Sequence, residues 1–153
     1  MIVIQVAQNY RNIEFPLTRL KKLVRSICRR FEVKNATISV AIVDHEQMLK
    51  INNRFLNRIG TSDCLSFDLS DDTSLESIKY FEVIVNGEKA IEESRLRGHS
   101  AEAELALYIT HGLLHNLGFS DSSIEQAEKM HQTENEILQH FGYGLVYNNN
   151  TQS

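Results

Sequence analysis

From Leu105 to Leu117 the chain reads Leu-Ala-Leu-Tyr-Ile-Thr-His-Gly-Leu-Leu-His-Asn-Leu, apolar on nearly every helical face. A helix with no polar face has to be covered on all sides, which places it at the centre of a layered fold. Two imidazoles interrupt it, His111 and His115, one helical turn apart and on the same face. Unpaired imidazoles are costly to bury in such surroundings, so a partner is expected. Gly118 falls where a left-handed C-terminal cap turns the chain back, which lets Asp121 approach the same point. Two neutral imidazoles and a carboxylate suit zinc, and three protein ligands leave one tetrahedral position open for water. An open position belongs to hydrolytic rather than structural sites. The zinc-protease motif puts Glu directly after the first His as general base. Here that residue is Gly112, which disfavours peptide cleavage of that type.

The 153 residues, 42% hydrophobic and 24% charged, suit one globular domain with a sizeable core. No stretch approaches the roughly 18 apolar residues of a membrane span. The opening Met1-Ile2-Val3-Ile4-Gln5-Val6-Ala7 lacks the basic start of a secretory signal and reads as a first strand. Cys28 and Cys64 stand apart in different contexts, as reduced thiols of a cytoplasmic protein do. The net charge of −4 hides a division: residues 1–60 carry 11 Lys/Arg against 4 Asp/Glu, the remainder 5 against 16. A basic face of this kind attracts a polyanion, and the pI near 5.9 argues against tight nonspecific binding. Two solvated helix faces would give the same pattern.

Periodicity sets the remaining elements. Strands are predicted over 2–7, 37–43, 64–68 and 80–85. Pro16 opens a helix whose stripe is Leu17, Leu20, Val24, Ile27, Cys28 and Phe31, with Arg19, Lys22, Arg25, Arg29 and Arg30 largely off it. Asp44 caps a helix over 46–55 that runs into an Asn57–Gly60 turn, and a polar loop is expected at Asp71–Ser74. A polar helix spans 88–96, and Ser100 caps the His-bearing helix over 101–117. Ser122 and Glu125 form a capping box for a last helix to Phe141 with inner stripe Ile124, Ala127, Met130, Ile137, Leu138 and Phe141. Residues 1–147 are expected to form the domain, with a disordered polar tail at 148–153. The fold class is α+β: a mixed four-stranded sheet packed with about five helices, the metal site at the end of a central helix.

The segment His111-Gly-Leu-Leu-His115-Asn-Leu-Gly118-Phe119-Ser120-Asp121 resembles the signature of the YbeY family of rRNA maturation factors, H-G-x-L-H-x-x-G-[YF]-D-H. Asn52, Phe55 and Ser62-Asp63-Cys64-Leu65-Ser66-Phe67 resemble its second block, N-x-x-[YF] and T-D-V-L-S-F. Glu82-Val-Ile-Val85 and Glu104 match further family positions. The resemblance implies a zinc-dependent, single-strand-specific endoribonuclease. Its implied role is maturation of the 3′ end of small-subunit (16S) rRNA and ribosome quality control. Implied partners are single-stranded rRNA, the small ribosomal subunit, and ribosomal proteins or assembly GTPases.

By position, the ligands are His111, His115 and Asp121, where the family usually has a third His, and Ser120 replaces the usual Asp. The extra negative charge at Asp121 opens the site to another divalent metal and raises the pKa of a bound water. Leu56 occupies a place where many members carry Arg, which leaves Arg54 and Arg58 as phosphate-contact candidates beside the basic first helix. Glu104 either orients a ligand His or caps its helix, and His131 is expected at the surface. The expected chemistry is metal-assisted phosphodiester hydrolysis, with no general base assignable. The alternative is a non-catalytic ribosome-assembly factor with a structural metal site, which Asp121 and Leu56 favour.

Overall fold

In Ala36–Val43 (β2), residues 36, 38, 40 and 42 are buried while their neighbours turn to the other face, the period-two pattern of a strand packed on one side. Ile2–Gln8 (β1) pairs parallel to it, with Val6 beside Val40. Lys79–Asn86 (β4) pairs parallel on its other side, with Val40 beside Val83. Cys64–Asp68 (β3) closes that edge antiparallel, Leu65 opposite Ile84. The order β1-β2-β4-β3 makes a mixed four-stranded sheet. This computed structural model describes residues 1–56, 62–71, 78–144 and 146. Arg58, the expected Asn57–Gly60 turn, most of the polar loop at 71–74 and the tail at 148–153 lie outside the described residues.

The helices are Leu17–Arg30 (α1), His45–Phe55 (α2), Gly87–Arg97 (α3), Ala101–Asn116 (α4) and Ile124–His140 (α5). With the sheet they give the α+β architecture that periodicity predicts. The main core lies on one face of the sheet, where Ile38, Val40 and Val83 meet Leu20, Leu23 and Ile27 of α1 and the apolar residues of α4. α2 covers part of the opposite face through Met48, packed with Val43, Leu65 and Ile84. No helix among the described residues is long and apolar enough to cross a membrane.

Two boundaries differ from the sequence pattern. Pro16 caps α1 with extended ψ rather than opening it. Ser123, not Ser122, caps α5 by accepting from the Gln126 amide. Ser122 is occupied elsewhere: its amide donates to the Ser120 hydroxyl and its own hydroxyl donates to Gln126 Oε1. The inner stripe is also shorter than periodicity predicts, because the first turn of α5 does not reach the core. Ile124 is 82% exposed, whereas Met130, Ile137 and Leu138 are buried.

α4 is the central helix. It touches β3, β4, α1, α3 and α5, and Leu105, Ile109, Leu113 and Leu114 are fully buried. Each such side chain contributes about 1.5–3 kcal/mol on leaving water. Gly112 is where the helix presses on the sheet: a Cβ there would lie 2.7 Å from Cys64 Sγ and 2.8 Å from Val83 Cγ1. The position that holds a catalytic Glu in zinc proteases has no room here for any side chain.

Candidate metal centre

Two nested hydrogen bonds end α4. The Phe119 amide donates to the Leu114 carbonyl (2.9 Å) and the Gly118 amide to the His115 carbonyl (3.0 Å). This pairing requires a left-handed residue between them. Gly118 supplies it at φ +100°, where nothing lies within 4 Å of an added Cβ, so the requirement is conformational rather than spatial. The turn returns the chain over the end of the helix and brings in Asp121. Its Oδ2 lies 3.9 Å from His111 Nε2 and 3.8 Å from His115 Nε2. The two Nε2 atoms are 3.0 Å apart.

Hydrogen bonds on the far side of each ring decide what those atoms offer. His115 Nδ1 lies 3.1 Å from the Phe119 carbonyl oxygen, which can only accept. His111 Nδ1 lies 2.6 Å from Glu134 Oε2. With a proton on each Nδ1, a neutral ring carries its lone pair on Nε2. Two lone pairs and a carboxylate oxygen then face one point, an arrangement that repels itself unless a cation joins it. Ligand atoms about 2.0–2.2 Å from a tetrahedral ion lie about 3.4 Å from one another, close to the observed edges. The donor set therefore fits a divalent ion. His111 registers the same preference. Burial works against its charged form, but the hydrogen bond and charge of Glu134, then Asp63 and Asp121, outweigh it and raise its pKa above the ordinary value.

Glu134, which sequence reasoning missed, is 0% exposed and shared between two imidazoles. Its second oxygen lies 2.8 Å from His131 Nδ1. A signal was present, since Glu134 lies four residues after Met130 and four before Leu138, inside the buried stripe of α5. His131 is half-buried rather than at the surface. Its ring stacks 6.5 Å from that of His111, with 19° between the planes. Carboxylates that hold ligand imidazoles in this way fix ring and tautomer.

Other expected residues have different neighbours. Glu104 is buried on α4 and pairs with His99 and, at 4.0 Å, with Arg97, while the Ser100 hydroxyl caps the helix. Arg54 lies exposed on α2 with its guanidinium 5.4 Å from the centroid of the Phe55 ring. Leu56 packs against the second core with Met48 and Val43.

Fold and donor geometry together define a class: an α+β protein with an open, three-donor candidate site for a divalent cation. Comparison narrows the class to a family. The family model described as Endoribonuclease YbeY matches residues 4–142, and the chain belongs to that family. Proteins named Endoribonuclease YbeY include one from Caldicellulosiruptor bescii, 30% identical over 92% of this chain and 97% of its own length. Another, from Thermoanaerobacter sp. (strain X514), is 28% identical over 82% of this chain and 87% of that one. The solution structure of TM1509 from Thermotoga maritima matches with a TM-score of 0.60 at 21% identity, covering 93% of this chain and 92% of that one. That likeness is one of fold.

Proposed function

We propose that this chain is a zinc-dependent, single-strand-specific endoribonuclease of the cytoplasm. Its substrate is the 3′ end of small-subunit 16S rRNA, cut during maturation and ribosome quality control, in association with the small subunit. His111, His115 and Asp121 hold the ion. The observation that carries this reading is the convergence of His111 Nε2, His115 Nε2 and Asp121 Oδ2 while both Nδ1 atoms are engaged elsewhere. A bound ion supplies Lewis-acid stabilisation of charge developing at a phosphodiester. The protein's part is positioning: Glu134 and the Phe119 carbonyl hold the two rings, and the Gly118 turn fixes the carboxylate.

The α1 surface supports a polyanionic strand. Lys21, Lys22, Arg25 and Arg29 line a groove of about 750 Å³ with His140 and Phe141 at the end of α5. Arg19 and Arg30 spend their charge on Glu102 and Glu136. Among the described residues the other four make no such pair, which leaves four positive charges for backbone phosphates.

A single-stranded RNA substrate incubated with the purified chain, with and without chelator, and with His115→Ala, tests the reading. Cleavage that disappears with chelator and with the folded variant is expected. Equal cleavage in all three samples would reveal a contaminating nuclease and defeat the proposal. One observation favours the assembly-factor alternative: Leu56 puts core packing where an RNA-facing cation is expected. Small-subunit association without any cleavage would select it.

A further inference from the structure

Along α2 the inner row steps by four residues, Met48, Asn52 and Leu56, which turns Phe55 outward at the end of the helix. Phe55 is 64% exposed and belongs to neither core cluster. Among the described residues Phe55 and Tyr80 are the exposed aromatics, and of these only Phe55 has a cation against its ring. The Arg54 guanidinium lies 5.4 Å from the ring centroid, inside the roughly 6 Å reach of a cation–π contact. Arg54 makes no ion pair among the described residues, whereas Lys50 on the same helix is matched by Glu46 at 3.4 Å. The pair is a flat apolar surface with a spare positive charge, held on a helix and left in water.

A chain of contacts ties this corner to the metal centre. One turn before Phe55, the buried Asn52 donates to the Ser62 hydroxyl at 3.0 Å. The Ser62 carbonyl accepts from the Asn86 side chain at 3.2 Å, and the Asp63 carbonyl accepts from the Asn86 amide at 2.9 Å. Cys64 follows, and it is the residue against which α4 presses at Gly112, directly beside His111. The end of α2 and the His-bearing part of α4 therefore meet at the same place, the start of β3.

Nucleobases pack their π-faces on aromatic rings and guanidinium planes, while the phosphates beside them are drawn to positive charge. A base offers its face only when it is unpaired and unstacked, because in a duplex its neighbours cover both sides. Such a surface reads the state of a strand and not its sequence, since every base has a π-face. We infer that Phe55, backed by Arg54, is a stacking platform for one unpaired base of the RNA strand, and that it favours single strands over duplexes. The inference rests on the ribonuclease reading above for the presence of RNA. An apolar protein partner would use the ring and leave the charge of Arg54 unmatched.

The chain contains no tryptophan, so Phe55→Trp places a lone indole on the platform. A short oligoribonucleotide is titrated into this full-length variant in the presence of chelator, which keeps the strand intact. The single strand should quench the fluorescence. The same strand annealed to its complement should leave most of it, and polyphosphate, which has the charge without the bases, should leave all of it. Phe55→Ala, at an exposed position that the core does not use, should weaken single-strand binding by roughly fivefold or more, the loss expected for one stacked base. Its affinity for polyphosphate should be unchanged. Equal quenching by duplex and single strand, absence of RNA binding, or single-strand affinity untouched by Phe55→Ala overturns the platform. Chelator-sensitive cleavage alongside an untouched affinity defeats the platform alone. Quenching by single strands with no cleavage by the zinc-loaded chain defeats the nuclease reading alone.

Discussion

Two clusters among the described residues bring histidine and carboxylate close enough together to suggest a metal. One is His111, His115 and Asp121; the other is His45, Glu88 and Glu92. Distance does not separate them, and hydrogen bonding does. At His45, the Asn86 side-chain nitrogen lies 3.0 Å from Nδ1 and also donates to the Ser62 carbonyl, while the Asn86 oxygen accepts the Lys89 amide. That network fixes which end of the amide faces His45, so His45 Nδ1 accepts. The proton then sits on Nε2 and points at Glu92, 2.9 Å away. One Glu88 oxygen is taken by the His45 backbone amide. The second cluster is a closed hydrogen-bond network at the start of α2, whereas in the first neutral rings turn two Nε2 lone pairs and a carboxylate oxygen toward one point. Candidate metal sites are better judged by the far side of each imidazole than by the near side.

Removing a donor from the first cluster should have the largest effect. His115→Ala or Asp121→Ala should lower zinc affinity by more than the roughly 10–100-fold that loss of an outer partner costs. A competition titration against a chromophoric chelator measures this, and undiminished affinity would break the comparison at its root. Next comes Glu134→Gln, which keeps the shape and removes the carboxylate holding His111 and His131. Its expected cost is roughly 10–100-fold in metal affinity, with the fold retained by circular dichroism.

Gly112→Ala tests whether the helix carrying the first cluster is pressed against the sheet. In an open helix this change stabilises by roughly 0.8–1.0 kcal/mol. Here the new methyl meets Val83 and Cys64 below 3.0 Å, so a net loss of about 1–3 kcal/mol is expected by urea denaturation. His45→Ala should leave both zinc affinity and a stoichiometry of one ion per chain unchanged. A fall in stoichiometry would show the second cluster to be a site after all.

The smallest effect is a control in the core under α1. Burial raises the Cys28 thiol from 9.0 to about 11. Its folded pKa exceeds its unfolded one, so this contribution is fully present below about pH 9 and is lost as pH climbs through 11. Thermal midpoints between pH 8 and 11 should decline less steeply in Cys28→Ala than in the parent chain.

Much of the architecture is legible in the chain because local patterns and tertiary packing agree. The stripe of α1, the alternation of β2 and the all-round apolarity of α4 each state what they pack against. The α4 turn is also legible, since a glycine just past a buried helix is the residue that takes the left-handed cap at no steric cost. The start of α5 is not, because Ser122 and Ser123 are equally good caps in sequence. The side-chain bonds of Ser120 and Gln126 choose between them. Glu134 is hard to read from sequence because a charged residue on a helix is ordinarily solvated. Its place between Met130 and Leu138 marks the inward face, and the approach of α5 to α4 supplies the imidazoles that satisfy it there.

The sequence alone determined that two imidazoles share one helical face, that the helix must be buried, and that a carboxylate follows just past a glycine bend. These follow from chain geometry and hydrophobicity, which act over a few residues. The tertiary structure decided which ring nitrogens carry protons, because that depends on Glu134 and His131 on another helix and on a carbonyl beyond the turn. It also decided that Asn86 closes the His45 cluster, from a strand 41 residues away in the chain. Proton placement is set by partners in space, and no spacing along the chain reports it.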